Sequence, residues 1–252
     1  MNKVLLYCEF DGTDFVGFQI QNNGRSVQEV LEKALSELYK TDIKITGCSR
    51  TDSGVHAAEH ASSFDAPFII PGEKIPLALN ALLPDDIAVK GAVYVDDDFS
   101  ARFSSKGKTY CYRIYTSPVR SPLRDRYSYY APYELDVDAM NEAAKCFIGT
   151  HDFNAFCAAG GSQETTVRRV IDVEVKRAVS DPSMVEIWVT GEAFLYNMVR
   201  IISGTLFYVG TGKLNASDIP GIISGLDRSK AGKTLPAKGL TLEKVYYGTI
   251  AL

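Results

Sequence analysis

Apolar residues in the first hundred positions recur with two different periods, and each period predicts a different element. From residue 27 to residue 39 they recur every three or four positions, the spacing of an amphipathic helix. Ser26 and Glu29 precede and enter this stretch in the S-x-x-E spacing of a capping box. The remaining pattern predicts strands over 4–10, 43–48, 61–64 and 87–95, a turn at 11–13 and a short helix over 76–83.

The second half of the chain loosely repeats this order of elements. Residues 108–115 alternate like a strand, with Tyr110, Tyr112 and Ile114 on one side. The remaining pattern predicts helices over 136–147 and 194–209 and strands over 166–177, 184–191 and 242–250.

The repeated order β-α-β-β-α-β predicts an α+β fold. It would consist of two ferredoxin-like or RRM-like halves of the split β-α-β type, residues 1–104 and 105–252. This duplication rests on element order alone. Two such sheets joined edge to edge would form one continuous, mostly antiparallel sheet with a central cleft.

The total charge of the chain is negative, but the charge is unevenly distributed along the sequence. A net charge of -4 and a pI of about 5.5 argue mildly against a nucleic-acid binder, because such domains are usually basic. Residues 102–126, however, hold seven basic residues against Asp125 alone. A local basic face can bind phosphates while the total stays negative. A solvated basic strand and loop is the alternative.

Cysteine usage and the N-terminal segment bear on the compartment. The chain has five cysteines and no C-x-x-C pair, which argues against a disulfide framework and indicates a reducing compartment. The first twelve residues lack the apolar region and cleavage site of a signal peptide. No apolar run approaches the length of a membrane span. We therefore expect a cytoplasmic protein.

A loop of small and polar residues, SRTDSGVHA (49–57), follows a predicted strand and surrounds one carboxylate. Arg50 lies two residues before Asp52, so both side chains face the same way in an extended segment. A neighbouring guanidinium keeps a partly buried carboxylate ionised, as a carboxylate nucleophile requires. The spacing alone is more typical of a structural Arg–Asp pair in a turn, because such pairs are common.

Taken whole, the RTDSGVHA segment resembles the signature of the tRNA pseudouridine synthase A family. Six further segments agree with the pattern of that family, and all seven follow in the same order nearly end to end. The six are FDGTDFVGFQIQ (10–21), LNALLPDDIAV (79–89), FSARFSSKGKTYCYRI (99–114), HDFNAF (151–156), GEAFLYNMVRIISGTLFYVGTG (191–212) and AKGLTLEKVYY (237–247).

The resemblance implies a role for five residues. Asp52 stands at the catalytic aspartate, and Arg50 at the arginine that holds the flipped nucleotide. Tyr110 stands at the tyrosine that packs against the target base. Arg200 stands at the arginine that pairs with the catalytic carboxylate, and Leu240 at an apolar residue of the pocket wall. The resemblance also implies a homodimer with tRNA crossing both subunits, and modification at positions 38, 39 and/or 40 of the anticodon stem-loop.

The reaction that the resemblance implies is chemically consistent with this set. Uridine becomes pseudouridine without gain or loss of electrons, so we expect no cofactor and no metal. The target base must be flipped out of its stem, and Tyr110 can stack on it. A core aromatic in a tyrosine-rich strand is the alternative for Tyr110. Arg200 lies in an apolar helix, where a partner such as Asp52 would compensate its charge, unless the side chain reaches the surface.

Parts of the sequence also fit three other functions. The segment HAAEH (56–60) matches the H-x-x-E-H pattern of a zinc peptidase, which requires a helix and a third ligand. The segment LLYCEFDGT (5–13) resembles the strand and D-x-D-G-T motif of an aspartyl-phosphate phosphatase. Glu9, however, stands at the position of the nucleophilic aspartate. A non-catalytic RNA-binding protein of the same fold is the third.

Overall fold

The structure is a computed structural model that describes residues 2–161 and 164–248. Within these residues the chain forms ten β-strands and six α-helices. They divide between two units: the first comprises Met1–Lys106 with Leu242–Leu252, and the second comprises Gly107–Thr241. No helix within the described ranges is long and apolar enough to cross a membrane.

The first unit is an antiparallel sheet with two helices. Its elements are β1 (Asn2–Phe10), α1 (Val27–Tyr39), β2 (Thr46–Gly47), β3 (His56–Ala66), α2 (Lys74–Asn80), β4 (Ile87–Tyr94) and the end of β10 (Leu240–Tyr246). The strand order is β4-β1-β3-β10, and β2 also pairs with β3. β1 pairs with both β3 and β4, and β2 pairs with β3, in each case in the antiparallel direction.

The second unit has the same kind of sheet with more helices. Its elements are β5 (Gly107–Thr116), α3 (Pro122–Asp125), β6 (Tyr129–Ala131), α4 (Val137–Ala144), β7 (Gly149–Asp152), β8 (Val167–Ala178), β9 (Asp181–Gly191), α5 (Met198–Gly210) and α6 (Ile219–Gly225). β10 begins here, and the strand order is β10-β5-β9-β8-β7. β6 pairs with β5 in the parallel direction.

The same spatial order recurs in the two units. In the first unit, β4 lies next to β1, β1 lies next to β3, and β2 pairs with β3. In the second unit β10, β5, β9 and β8 follow the same scheme. This is the order of a split β-α-β fold. The predicted α+β class with mostly antiparallel pairing is confirmed.

The helix boundaries follow from local chemistry. The Ser26 hydroxyl accepts from the Glu29 amide at 3.3 Å, which confirms the predicted start of α1. Leu31 and Leu35 are fully buried on the inner face of that helix. The Asp136 carboxylate caps α4 in the same way, accepting from the Ala139 amide at 2.9 Å.

Several predicted boundaries were wrong. The helix predicted from residue 194 begins at Met198, because Asn197 has a left-handed backbone with φ of 59°. Of the strand predicted over 43–48 only Thr46–Gly47 pairs, whereas β3 begins at His56, five residues before the prediction. The final strand ends at Tyr246, and positions 249 and 250 of its prediction lie outside the described residues.

Candidate active site

The loop that carries Asp52 is held in the first unit by the segment that follows β1. Asp52 forms an isolated antiparallel bridge with Gly17. The Phe18 amide donates to the Thr51 carbonyl at 3.1 Å, and the Val55 amide donates to the Asp52 carbonyl at 3.1 Å. Two segments that the family resemblance singled out therefore contact each other through their main chains.

Glycines make this close approach possible. Gly17 has a φ of 119°, and a Cβ there would lie 2.7 Å from the Thr51 carbonyl oxygen. A Cβ on Gly12 would overlap the carbonyl of Val55. Gly54, within the loop itself, has a φ of 77°. Because larger residues disfavour such backbone angles and would clash, these glycines fix the position of the loop.

Arg50 and Asp52 differ in exposure. Asp52 is half-buried and Arg50 is exposed. Arg50 forms no ion pair with any residue of the described ranges. Arg50 and Asp52 therefore form no contact ion pair in this structure. An exposed guanidinium beside a half-buried carboxylate is suited to contact a ligand from solution.

Two buried histidines of β3, His56 and His60, contact the residues around the Asp52 loop. His60 stacks on Phe18 with ring centroids 4.1 Å apart, and its Nε2 lies 3.0 Å from the Ser49 carbonyl oxygen. The Nδ1 atom of His56 lies 3.1 Å from the Gly12 amide nitrogen and 3.1 Å from Asp11 Oδ1. The first contact requires an unprotonated Nδ1, and the second requires a protonated one. Sequence reasoning missed this role because it treated the histidines only as metal ligands.

The same histidines exclude the zinc-peptidase alternative. That mechanism needs H-x-x-E-H on a helix, whereas His56 through His60 lie in β3. Within residues 2–161 and 164–248 no group of three or more His, Cys, Asp or Glu side chains could hold a metal ion. The phosphatase alternative also fails at Asp11, whose side chain caps a 3-10 turn by accepting from the Thr13 amide.

Arg200 lies in the first turn of α5, in the second unit, and is oriented by two acceptors. Its Nε donates to the Leu235 carbonyl at 2.7 Å, and its Nη1 donates to Asn197 Oδ1 at 2.6 Å. Its own carbonyl accepts from the Leu235 amide at 3.3 Å. The half-buried guanidinium is thus positioned by the protein, which argues against a side chain that simply reaches the surface.

Asn197 is the residue at this site that sequence reasoning missed. It occupies the left-handed region, which is uncommon for a residue other than glycine although asparagine tolerates it best. Such conformations cost free energy and cluster at functional sites. Here the conformation ends the preceding loop, starts α5 and aims the side-chain oxygen at Arg200.

Residues 232–235, which follow α6, pack closely against α5, and this packing positions Leu235. A Cβ on Gly204 would overlap the Lys233 carbonyl, and one on Gly232 would overlap the backbone of Gly204. The Gly232 amide also donates to the Thr205 hydroxyl at 2.8 Å. This contact fixes the carbonyl that Arg200 uses.

Two tyrosines of β5 have different surroundings. Tyr110 is 6% exposed and packs edge-on against Phe194 with ring centroids 5.3 Å apart. Tyr112 is fully buried, and its hydroxyl donates to the Pro236 carbonyl at 2.8 Å. Burial raises the pKa of Tyr112 above its ordinary value, opposed by the positive charge of Arg200. Leu240 is also buried.

The five predicted site residues therefore divide between the units. Arg50 and Asp52 belong to the first unit, and Tyr110, Arg200 and Leu240 belong to the second. The pairing of Arg200 with Asp52 and the contact of Tyr110 with a target base stay predictions. The glycines, His56, His60 and Asn197 were missed, because their roles depend on contacts between residues distant in sequence.

Comparison with known proteins places this chain in a family. A family model described as tRNA pseudouridine synthase matches residues 7–104 and 143–248. A tRNA pseudouridine synthase A of Ruminiclostridium cellulolyticum is 52% identical over 98% of this chain and 100% of its own length. Proteins of the same name from Caldicellulosiruptor bescii and Acetivibrio thermocellus are 46% and 45% identical, each over 98% of this chain and 100% of their own length. The chain belongs to the tRNA pseudouridine synthase A family of isomerases.

Proposed function

We propose that this protein isomerises uridine to pseudouridine at positions 38, 39 and/or 40 of the tRNA anticodon stem-loop, with Asp52 as the nucleophile. The observation that supports Asp52 most strongly is the way its loop is held. Main-chain bonds and tight glycine contacts fix the residue, while its side chain stays partly exposed to solvent. A nucleophile gains most from such prior positioning.

The reaction balances within the substrate. The bond from N1 of uracil to C1′ of the sugar breaks, the ring turns, and C5 bonds to C1′. The hydrogen on C5 leaves and N1 takes up a proton, so no electrons enter or leave. The carboxylate of Asp52 attacks or assists at the sugar while the pocket retains the detached base.

Four other residues complete the proposal. Arg50, exposed beside Asp52, holds the flipped nucleotide. Arg200 pairs with the catalytic carboxylate, and its orientation by fixed acceptors supports this role. Tyr110 packs against the target base, and Leu240 forms part of the apolar wall. Neither a metal nor a cofactor has a part in the proposed reaction.

The remaining expectations concern assembly and location. We propose that the enzyme is a homodimer on which one tRNA contacts both subunits, and that it works in the cytoplasm. Sedimentation of the purified protein alone and with tRNA would test the assembly. A monomeric enzyme with full activity would contradict it.

The function is tested with tRNA transcripts tritiated at C5 of uridine. In three transcripts a single uridine stands at position 38, 39 or 40, and in a fourth all three positions lack uridine. We expect tritium release into water from at least one of the first three and none from the fourth. Release from the fourth would overturn the assigned positions. Binding without release from any transcript would favour the non-catalytic RNA-binding alternative.

A further inference from the structure

A cavity lies at the C-terminal end of α5, at the opposite end of the helix from Arg200. Its volume is 370 Å³, which is roughly that of a dozen water molecules. Tyr208, which lines it, stands eight residues after Arg200, about 12 Å along the helix axis at 1.5 Å per residue. The cavity is therefore separate from the site of Arg200.

Four cationic side chains line this cavity: Lys213, Arg228, Lys230 and Lys233. None of the described residues that line it is an aspartate or glutamate. None of the four cations forms an ion pair with a residue in the described part of the chain. Like charges gathered in one cavity repel each other, and a bound anion relieves that repulsion.

Neutral groups hold three of these cations in place. Lys213 Nζ lies 4.0 Å from the centroid of the Tyr208 ring. Arg228 donates to the Gly232 carbonyl at 2.9 Å, and Lys233 donates to the Tyr129 hydroxyl at 2.6 Å. Carbonyls, hydroxyls and aromatic rings orient the cations without cancelling their charge.

The neighbouring acid, Asp227, is engaged in its own turn. Its carboxylate accepts from the amide and the hydroxyl of Ser229 at 2.9 and 2.7 Å. These hydrogen bonds lower the pKa of Asp227, with Lys230 as a lesser cause. One anion beside four cations leaves an excess of positive charge.

A structural explanation accounts for only part of the cluster. The Lys213 and Leu214 amides donate to the Tyr208 carbonyl, so Lys213 lies where the end of a helix favours a cation. Arg228, Lys230 and Lys233 come from the following loop and not from the helix end.

We propose that this cavity, at the other end of α5 from Arg200, binds phosphodiester groups of the tRNA backbone. The proposal rests on the proposed function, because it takes tRNA as the ligand and Arg200 as part of the catalytic site. Guanidinium and ammonium groups without carboxylate partners are the usual protein contacts of phosphates. The site would position the tRNA without reading its sequence.

The test compares two double variants that remove the same charge. Lys213→Ala/Lys230→Ala removes two cations of the cavity. Lys33→Ala/Lys74→Ala removes two exposed helical lysines of the first unit. Both are assayed for tRNA binding over a range of salt concentrations, and for kcat and KM with tritiated tRNA. Lys213→Gln/Lys230→Gln is a second cavity variant, which removes the charges but keeps polar side chains only one bond shorter than lysine.

We expect the cavity variants to bind tRNA roughly five- to thirtyfold more weakly, with KM raised and kcat unchanged. The slope of log affinity against log salt should become shallower by about 0.7 to 0.9 for each lost phosphate contact. The Lys33/Lys74 variant should match wild type. Unchanged affinity and slope in both cavity variants would overturn the proposal. So would equal losses in the two alanine variants, which would indicate only the effect of net charge.

Titration of the wild-type protein and the cavity variants with inorganic phosphate tests whether the cavity binds small anions instead of tRNA. Phosphate binding that is lost in the cavity variants while tRNA binding is unchanged would identify a site for small anions and overturn the tRNA assignment. The binding assays do not depend on catalysis. If wild type binds tRNA with the expected salt dependence but releases no tritium, the proposed function fails while the cavity result stands.

Discussion

The loop of Asp52 and the start of α5 position their side chains by different means. Main-chain bonds and close glycine contacts hold the loop of Asp52. Arg200 is positioned by its own side-chain bonds to Asn197 and Leu235. The first site should therefore tolerate a change of the functional side chain but not of its glycines. The second should be sensitive to its polar partners.

Among the changes that test how the two side chains are positioned, Gly17→Ala should have the largest effect. The added Cβ would meet the Thr51 carbonyl in a backbone region that disfavours alanine, so the loop must shift. A displacement of about 1 Å at a catalytic group can reduce the rate roughly 100-fold. We expect kcat to fall by about that factor, measured by tritium release.

Gly160→Ala is the matched control for that change. Gly160 also has a positive φ, of 93°, but no atom of the described residues beyond its chain neighbours lies within 4 Å of its added Cβ. It should lose stability from backbone strain while kcat stays within about threefold of wild type. If the two variants lose activity equally, glycine contacts do not position Asp52.

A smaller effect is expected at Asn197. Removing its acceptor in Asn197→Gly takes away a charge-assisted hydrogen bond to Arg200 but suits the left-handed backbone. We expect kcat to fall about tenfold or more with little change in melting temperature. Asn197→Asp keeps an acceptor and should recover most of kcat. Full activity in the glycine variant would show that Arg200 needs no positioning by Asn197.

The smallest effect is expected from Tyr112→Phe, which loses the hydrogen bond to the Pro236 carbonyl. We expect about 1 kcal/mol less stability at neutral pH and nearly unchanged kcat. The pKa of Tyr112 is raised in the folded state from an ordinary value of 10.0. Stability from this group is therefore present below pH 10 and lost as pH rises further, because the unfolded state releases its proton first.

Denaturant unfolding across pH 8 to 11 checks the predicted loss of stability above pH 10. Wild type should lose stability above pH 10 more steeply than Tyr112→Phe. Burial also raises the pKa of Tyr39, to about 12, and of Tyr247, so the decline should become shallower in the variant without vanishing. Equal slopes would contradict the role of Tyr112 in it.

The sequence predicted the elements better than the contacts between them. Helical periodicity and Ser26 located α1, because both signals are local. The left-handed Asn197 has no periodic signature, so the helix was predicted to start at residue 194. The bridge between Gly17 and Asp52 joins residues 35 positions apart, and no local pattern reports it. The short elements α3, β6, β7 and α6 carry too few residues to show a period.

The central claim is that the Asp52 carboxylate is the nucleophile, and Asp52→Asn tests it most directly. This variant keeps the shape of the side chain and removes its charge, and the main-chain contacts of the loop should keep the fold intact. Pseudouridine formation in a single turnover should be slower by a factor on the order of 10⁴ or more, with tRNA affinity within about threefold of wild type. An asparagine variant that retains a tenth or more of the wild-type rate would contradict the account.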